Sequence, residues 1–171
     1  MIDYKLVEAL LRQVKTGAFL TTKVGNQVNT MTISWLTLGQ VWNLDVVTVY
    51  VRFSRYTYDL IENSKNFTVS FPCPRTKIKE LKEWGERSGR DYKKLTMTDI
   101  ISTKAVDGVL IKDCNIHIEC EKIYDQKMNS KQLAKDLLQE FYDEKEDYHH
   151  IYYGKIVDMY LEERLSVFPG E

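Results

Sequence analysis

The sequence predicts a mainly β protein of the α+β class, an antiparallel barrel with helices at its periphery. Segments of alternating polar and apolar residues recur along the chain, as in half-buried strands, and residues 66–71 form the clearest of them. Turn residues such as Gly25 and Asn26 join neighbouring segments, which favours hairpins. The strands do not alternate regularly with helices, so a doubly wound parallel sheet is disfavoured.

The first half of the chain is expected to contain two helices and four strands. Asp3 can cap an amphipathic helix whose apolar face ends at Val14, and Gly17 terminates that helix. A second helix is predicted over 56–63, and a loop through Gly39 and Trp42 separates two of the strands. The predicted strands cover 18–24, 27–35, 46–52 and 66–71.

The second half is expected to add two helices and three strands. Apolar residues at helical spacing over 75–86 are followed by a loop over 87–91. Ser130 can cap a further helix, whose apolar face ends at Phe141. Gly154 lies inside the last strand and predicts a bulge or a close backbone approach. The predicted strands cover 109–111, 114–123 and 151–161.

Composition argues against several classes of protein. The formal net charge is −1 over 171 residues, so no general basic field attracts nucleic acid. No apolar run approaches the roughly 20 residues of a membrane helix, and no secretory signal pattern opens the chain. Three cysteines without a CxxC pair favour a reducing compartment. We therefore expect one cytoplasmic domain over 1–171, with small-molecule substrates and neither nucleic acid nor membrane as partner.

The main candidate for ligand binding follows the predicted strand over 46–52 and leads into a helix. Guanidinium forks and hydroxyls can satisfy several phosphate oxygens, and a helix N-terminus adds free N–H groups. The alternative is that both arginines are solvated and that Ser54 only caps the helix. The candidate phosphate-binding residues are Arg52, Ser54, Arg55 and Thr57.

A second candidate is a strand with small polar side chains, which we expect on one face: Asn29, Thr30, Thr32 and Ser34. Such a face suits the polar edge of a heterocycle or a ribityl-like chain, although a solvated strand face is the alternative. Trp35 and Trp42 are large enough to cover an aromatic ring, while packing in the core or at a subunit interface is the other interpretation.

A third candidate is the loop that contains Ser88, Gly89 and Arg90. Gly89 permits a tight turn, and the two polar side chains are placed to contact another part of the same anionic ligand. The alternative is a solvated turn in which Arg90 pairs with Asp91.

Histidine and cysteine patterns indicate no metal site and no catalytic group. The histidines form no HxH or HExxH motif, so a metal site is not expected. His117 is expected to be an exposed strand residue, whereas His150 could reach a ligand. Nothing near Cys73 in sequence would lower its pKa. GxGxxG and GxxxxGK[ST] are both absent, and no nucleophile or acid/base set emerges. Chemistry supplied by a cofactor fits this absence.

Four segments resemble the flavin reductase-like FMN-binding family, in the order 29–35, 49–57, 67–71 and 88–91. Residues 153–157 are similar to the last barrel strand of that family. The resemblance covers nearly the whole chain and implies an FMN-binding split β-barrel that forms homodimers. Residues 43–45 depart from it, because a proline-containing turn is expected there.

The resemblance also implies residue roles. The strand residues would run along the isoalloxazine and ribityl groups, and these are Asn29, Thr30, Met31, Thr32, Ile33, Ser34 and Trp35. The patch after the next strand would hold the phosphate, namely Arg52, Ser54, Arg55 and Thr57. The loop residues Ser88, Gly89 and Arg90 would approach the cofactor.

The function implied is an NAD(P)H-dependent flavin oxidoreductase, in which a hydride passes from NADH or NADPH to the N5 atom of FMN. Hydride transfer needs the two rings stacked at roughly 3–3.5 Å and no protein general acid. Two alternatives stay open. The protein could be an FMN-bound electron carrier or ferric-type reductase without direct nicotinamide use. It could also be a non-redox module for another phosphorylated heterocycle.

Overall fold

Nine strands and four helices make up the part of the chain that the computed structural model describes, residues 4–142 and 146–162. The strands are β1 (Ala18–Val24), β2 (Gln27–Ile33), β3 (Leu36–Val41), β4 (Leu44–Arg52), β5 (Asn66–Pro72), β6 (Ile100–Ser102), β7 (Val109–Ile111), β8 (Cys114–Lys127) and β9 (His149–Leu161). The helices are α1 (Tyr4–Gln13), α2 (Tyr56–Asn63), α3 (Ile78–Glu86) and α4 (Lys135–Phe141). The prediction of a mainly antiparallel β fold with peripheral helices is confirmed.

Seven strands form one antiparallel sheet in the order β2-β1-β5-β8-β9-β4-β3, and β6 pairs with β7 beside it. In a flat sheet the two edge strands would lie about 29 Å apart, at about 4.8 Å per strand. Yet β2 and β3 are joined by Ser34 and Trp35 alone, which span at most about 11 Å between the flanking Cα atoms. The sheet must therefore curl until its edges meet at this link, here called the seam.

Strand β1 is buried on both faces because the sheet separates two apolar clusters. Leu20 points into the larger cluster, inside the curl, where α1 contributes Leu10. Phe19 points to a smaller cluster under α3, where its ring lies 5.0 Å from that of Trp84. Gly154 on β9 permits the close approach that the sequence predicts, because a Cβ there would meet Phe67 and lie 2.7 Å from Cys120 Cβ.

The link after β2 differs from the sequence prediction. The predicted strand 27–35 ends at Ile33, and the predicted loop through Gly39 is strand β3. The hairpin that joins β3 to β4 turns at Trp42 and Asn43, which both have positive φ, 54° and 57°. That is the conformation of a tight two-residue turn, which usually recruits glycine. Because this turn contains no glycine, the sequence indicated a longer loop.

The first half of β8, residues 114–120, is buried, so the prediction of an exposed His117 is wrong. His117 and Glu119 are fully buried, together with Asn115. The segment after β6 covers them, since Glu119 accepts hydrogen bonds from the backbone N–H groups of Lys104, Ala105 and Val106. Sequence periodicity marks polarity, but it does not show that another segment will satisfy the polar groups.

The helix predicted to begin at Ser130 consists of two shorter elements. A 3-10 turn covers Ser130–Gln132, and α4 begins only at Lys135. Asn129, rather than Ser130, accepts the capping hydrogen bond, from the N–H of Lys131. Strand β6 was not predicted. The expected cap at Asp3 lies outside the described residues, and none of the described helices is long and apolar enough to cross a membrane.

Candidate functional site

A cavity of about 210 Å³ opens at the seam. The link between β2 and β3 forms one wall, and the ends of β4 and β9 form the other. The seam cavity is lined by Met31, Thr32, Ile33, Ser34, Trp35, Tyr50, Arg52, Arg55 and His149. The structure thus brings the predicted strand residues 31–35 together with both predicted arginines.

The backbone of β2 gives the seam cavity an edge rich in hydrogen-bonding groups. β2 pairs with β1 on one side and lies at the edge of the sheet on the other. In an antiparallel ladder alternate residues bond to one neighbour only, so the other residues present N–H and C=O groups outward. The carbonyl of Thr30 faces outward and accepts from Lys94 Nζ at 3.0 Å. By the same alternation, Thr32 offers its backbone groups to the cavity.

Aromatic rings from the link and from β9 together form an aromatic wall of the cavity. The ring of Trp35 lies 4.7 Å from that of His149 and 5.3 Å from that of Phe141. Tyr142 Oη lies 2.7 Å from His149 Nδ1 and orients the imidazole. Burial and, to a smaller extent, the neighbouring Arg52 together lower the pKa of His149 to about 4. His149 is therefore neutral at pH 7 and acts as an aromatic surface without charge.

Two guanidinium groups close the cavity at the end of β4. Arg52 donates to the backbone carbonyls of Asp147 and Phe141, at 2.8 and 2.9 Å, and so fastens the segment before β9. Arg55 donates to the carbonyl of Gly85 at 2.6 Å. Burial lowers the pKa of Arg55, and the charge of Arg52 lowers it further. The two cations repel each other, so an anion between them would be stabilised.

Ser54 shows that an oxyanion fits beside these arginines. Its backbone N–H and its hydroxyl both donate to the carboxylate of Asp147, at 3.0 and 2.6 Å. Asp147 also tends to raise the pKa of Arg55. A carboxylate of the protein itself thus lies where the sequence predicts a phosphate.

The predicted loop adjoins this patch through Arg90. Its guanidinium donates to the carbonyl of Ser54 at 2.9 Å and to the carboxylate of Asp59 at 2.6 Å. The expected alternative pairing with Asp91 is therefore wrong. Arg90 and Gly89 line a groove of about 410 Å³ that also includes Asn29. This groove adjoins the first residues of β2, whereas the seam cavity adjoins its last residues.

Four predicted residues use their side chains inside the protein, and one of them is Thr32, whose Oγ1 donates to the carbonyl of Leu81 at 2.7 Å. Asn29 Nδ2 donates to Thr57 Oγ1 at 2.8 Å, and both residues are buried. Thr30 is fully buried and bonds Thr21 and the carbonyl of Leu20. The expectation of one polar face was wrong for Asn29, because neighbouring strand residues point to opposite faces. Ser88 accepts from the N–H of Arg90 and shapes the loop.

Sequence reasoning missed Lys94 and chose the wrong histidine of a neighbouring pair. Lys94 Nζ also donates to the carbonyl of Trp84 at 2.8 Å. Burial and, to a smaller extent, the charge of Arg55 together lower its pKa to about 8. His149 lines the cavity, whereas His150 points to the other face of β9. The register that separates the two histidines comes from the pairing of His149 with Arg52, which no local pattern reveals.

The flavin reductase like domain family matches residues 11–168. The chain belongs to this family. No curated protein matches the chain significantly.

Solved structures of flavin reductase-like and FMN-binding proteins have the same fold. Flavoredoxin from Methanosarcina acetivorans is 21% identical with a TM-score of 0.68, over 86% of this chain and 68% of its own. An FMN-binding protein from Thermus thermophilus is 19% identical with a TM-score of 0.67, over 86% and 70%. An NADH:FAD oxidoreductase from Streptomyces globisporus is 16% identical with a TM-score of 0.65, over 95% and 86%.

Proposed function

We propose that this flavin reductase-like chain binds FMN at the seam and catalyses its reduction by NADH or NADPH. The observation that carries the proposal is one cavity that joins the free edge of β2, the aromatic wall and two repelling guanidinium groups. A ligand with a flat polar-edged ring and an anionic tail matches these three features together. Family membership supports the choice of a flavin.

The residues present fit FMN in type and in position. Backbone groups of Thr32 and Ser34 would bond the polar edge of the ring, and Trp35 with His149 would cover one of its sides. Arg52 and Arg55 would neutralise the phosphate, with Lys94 adding a third cation. Bound FMN would supply the hydride acceptor, its N5 atom. The protein would fix the ring, limit the access of water and leave one face free for the nicotinamide.

The phosphate must share its site with Asp147 or displace it. Ser54 directs two donors to that carboxylate, and the same donors would serve a phosphate oxygen. If the segment before β9 moves, Arg52 must also release the carbonyls of Asp147 and Phe141. The proposed exchange replaces one carboxylate by a phosphate of greater charge.

A homodimer in the cytoplasm completes the proposal. Its support is the family resemblance, in which flavin lies near the subunit interface. The loop that contains Ser88, Gly89 and Arg90 would then face a neighbouring copy, and two exposed aromatic side chains, Trp42 and Tyr124, provide contact area. Light scattering coupled to gel filtration gives the mass directly, and a monomer with and without FMN would reject this part.

A second candidate function is that of an electron carrier with resident FMN. Two of the solved structures with the same fold are flavoredoxins, and the sequence has no dinucleotide-binding motif. In this alternative the same residues hold FMN, but the nicotinamide is not the direct donor. A non-redox module for another phosphorylated heterocycle remains the third interpretation.

Anaerobic stopped-flow mixing of the purified chain, FMN and NADH or NADPH tests the main proposal. Flavin absorbance should bleach faster with protein than without it, and Arg55→Ala should reduce the acceleration. Arg12→Ala is the control, since Arg12 pairs with Glu8 on the exposed face of α1. Bound yellow flavin without acceleration by either nucleotide would select the electron carrier. Failure of FMN to bind or to raise the melting temperature would reject both.

A further inference from the structure

Three side chains from separate elements converge on the face of β9 opposite the seam cavity. They are Glu62 at the end of α2, Asp125 on β8 and His150 on β9. One ligand atom of each lies within 4.8 Å of the others. Successive residues of β9 alternate in direction, which separates His150 from the cavity-lining His149.

His150 is the buried centre of this cluster, with a side chain only 3% exposed. Its Nε2 lies 2.7 Å from Asp125 Oδ1, and its Nδ1 lies 3.7 Å from Glu62 Oε1. Nδ1 is buried and has no hydrogen-bond partner. The ring stacks on Tyr152 at 4.5 Å between centroids, which fixes its plane.

This arrangement favours a positively charged group between His150 Nδ1 and Glu62. If Nε2–H donates to Asp125, the Nδ1 lone pair faces the carboxylate of Glu62, and the two repel. Lys122 approaches the cluster, but its ammonium donates to the carbonyls of Ile61 and Glu62. A buried lone pair opposite a carboxylate is costly unless a cation lies between them.

We propose that Glu62, Asp125 and His150 bind a divalent transition-metal ion, and we expect Zn²⁺. Imidazole nitrogen with carboxylate oxygens is a donor set that Zn²⁺ accepts. Donor atoms about 2.1 Å from one tetrahedral ion lie about 3.4 Å apart. Glu62 Oε1 lies 3.7 Å from the free Nδ1, near this value. Asp125, which lies beside Nε2, would have to turn toward Nδ1, and both carboxylates are exposed enough to adjust.

The surroundings support such a site. Tyr152 donates its hydroxyl to Glu62 Oε1 at 2.7 Å and thereby orients that ligand, as outer partners of metal sites do. The ion would tie α2 to the central strands. The proposal does not depend on flavin, since the cluster and the seam cavity lie on opposite faces of β9.

Zinc titration of the full, tag-free chain, freed of metal with a chelator, tests the proposal. Calorimetry with ZnCl₂ should give one ion per chain and raise the melting temperature, while MgCl₂ should do neither. Glu62→Gln, Asp125→Asn and His150→Gln should each raise the Kd more than about tenfold, since even outer partners contribute 10–100-fold. Glu121→Gln removes a carboxylate elsewhere on β8 and should bind as the parent does.

If His150→Gln fails to fold, Glu62→Gln and Asp125→Asn still test the site, because these two side chains are partly exposed. Because Cys73 is a partly exposed thiol, the titration is repeated in Cys73→Ser, where binding should persist. Side-chain ¹H–¹⁵N spectra should shift for His150 and not for His117. No zinc binding, or binding that survives Glu62→Gln and Asp125→Asn, would overturn the site and leave a proton-bridged ion triad.

Discussion

Ser54 and Asp147 are 93 residues apart, yet Ser54 donates both its N–H and its hydroxyl to the Asp147 carboxylate. This contact places an acidic side chain inside the patch expected to bind phosphate. Arg52 also donates to the backbone carbonyl of Asp147, so several donors of the patch hold this acidic residue in place. Any external anion has to compete with Asp147.

Asp147→Asn should therefore strengthen FMN binding. The amide oxygen can still accept from Ser54, while the repulsion between carboxylate and phosphate disappears. That repulsion is on the order of 1 kcal/mol between partly solvated charges, which predicts a several-fold lower Kd. Fluorescence titration of FMN measures it. Asp158→Asn, on β9, is the control for the change in net charge, and equal effects of both variants would contradict a local role.

Arg55→Ala should weaken FMN binding by about 1.5–3 kcal/mol, the range of a hydrogen bond to a charged group. Arg55→Lys should recover part of the affinity, because it restores charge without the planar fork. Arg52→Ala should have a similar effect, with an added loss of stability since Arg52 holds two carbonyls before β9. The FMN titration used for Asp147 measures these variants as well. Unchanged affinity in both alanine variants would show that the phosphate lies elsewhere.

The sequence predicted much of the fold because its local patterns are strong. The bounds of β1, α2 and β7 agree with the structure. Local patterns failed where a distant segment decided the outcome. His117 was expected to be exposed, and it is buried because a segment outside its own strand covers it. β6 and the tight turn at Trp42 and Asn43 carry no glycine or proline that would mark them.

The candidate site was predictable in its types of residue but not in its register. Arginines after a buried strand indicated an anion site, and the structure places Arg52 and Arg55 on one cavity. Which of two neighbouring histidines faces the cavity depends on pairing with β4. Asp147 lies beside Ser54 through a contact between residues 93 positions apart, and no local sequence pattern reveals such a contact.

FMN affinity should fall as pH rises above about 8, because Lys94 then loses its proton. Burial and Arg55 lower its pKa to about 8, whereas the phosphate of FMN is already fully ionised there. Log Kd should rise with pH above about 8 in the parent, and this rise should vanish in Lys94→Gln. Lys93→Gln changes the same charge one residue away and should keep the rise. A flat profile in the parent would place Lys94 outside the site.

Stability should decline in acid between about pH 6.5 and pH 4. The pKa values of His117 and His149 are both lowered to about 4, mainly by burial. In this window the unfolded chain binds more protons, so the free energy of unfolding rises with pH and levels off above about 6.5. Each histidine contributes at most about 1.4 kcal/mol per pH unit. Urea unfolding at several pH values should show a smaller slope for His117→Gln, and an unchanged slope would refute its buried neutral state.

Gly154→Ala should destabilise the fold by about 1–3 kcal/mol, the usual cost of overpacking. The added Cβ would collide with the ring of Phe67 and lie 2.7 Å from Cys120 Cβ, and both partners belong to the core. Gly39→Ala is the matched control on edge strand β3, because a Cβ there has no neighbour within 4 Å. Thermal unfolding should therefore lower the midpoint for Gly154→Ala and leave it unchanged or slightly raised for Gly39→Ala. Combining Gly154→Ala with Phe67→Leu should restore part of the loss, since the smaller side chain vacates the space. No recovery would show that the strand backbone, rather than the ring, limits what this position accepts.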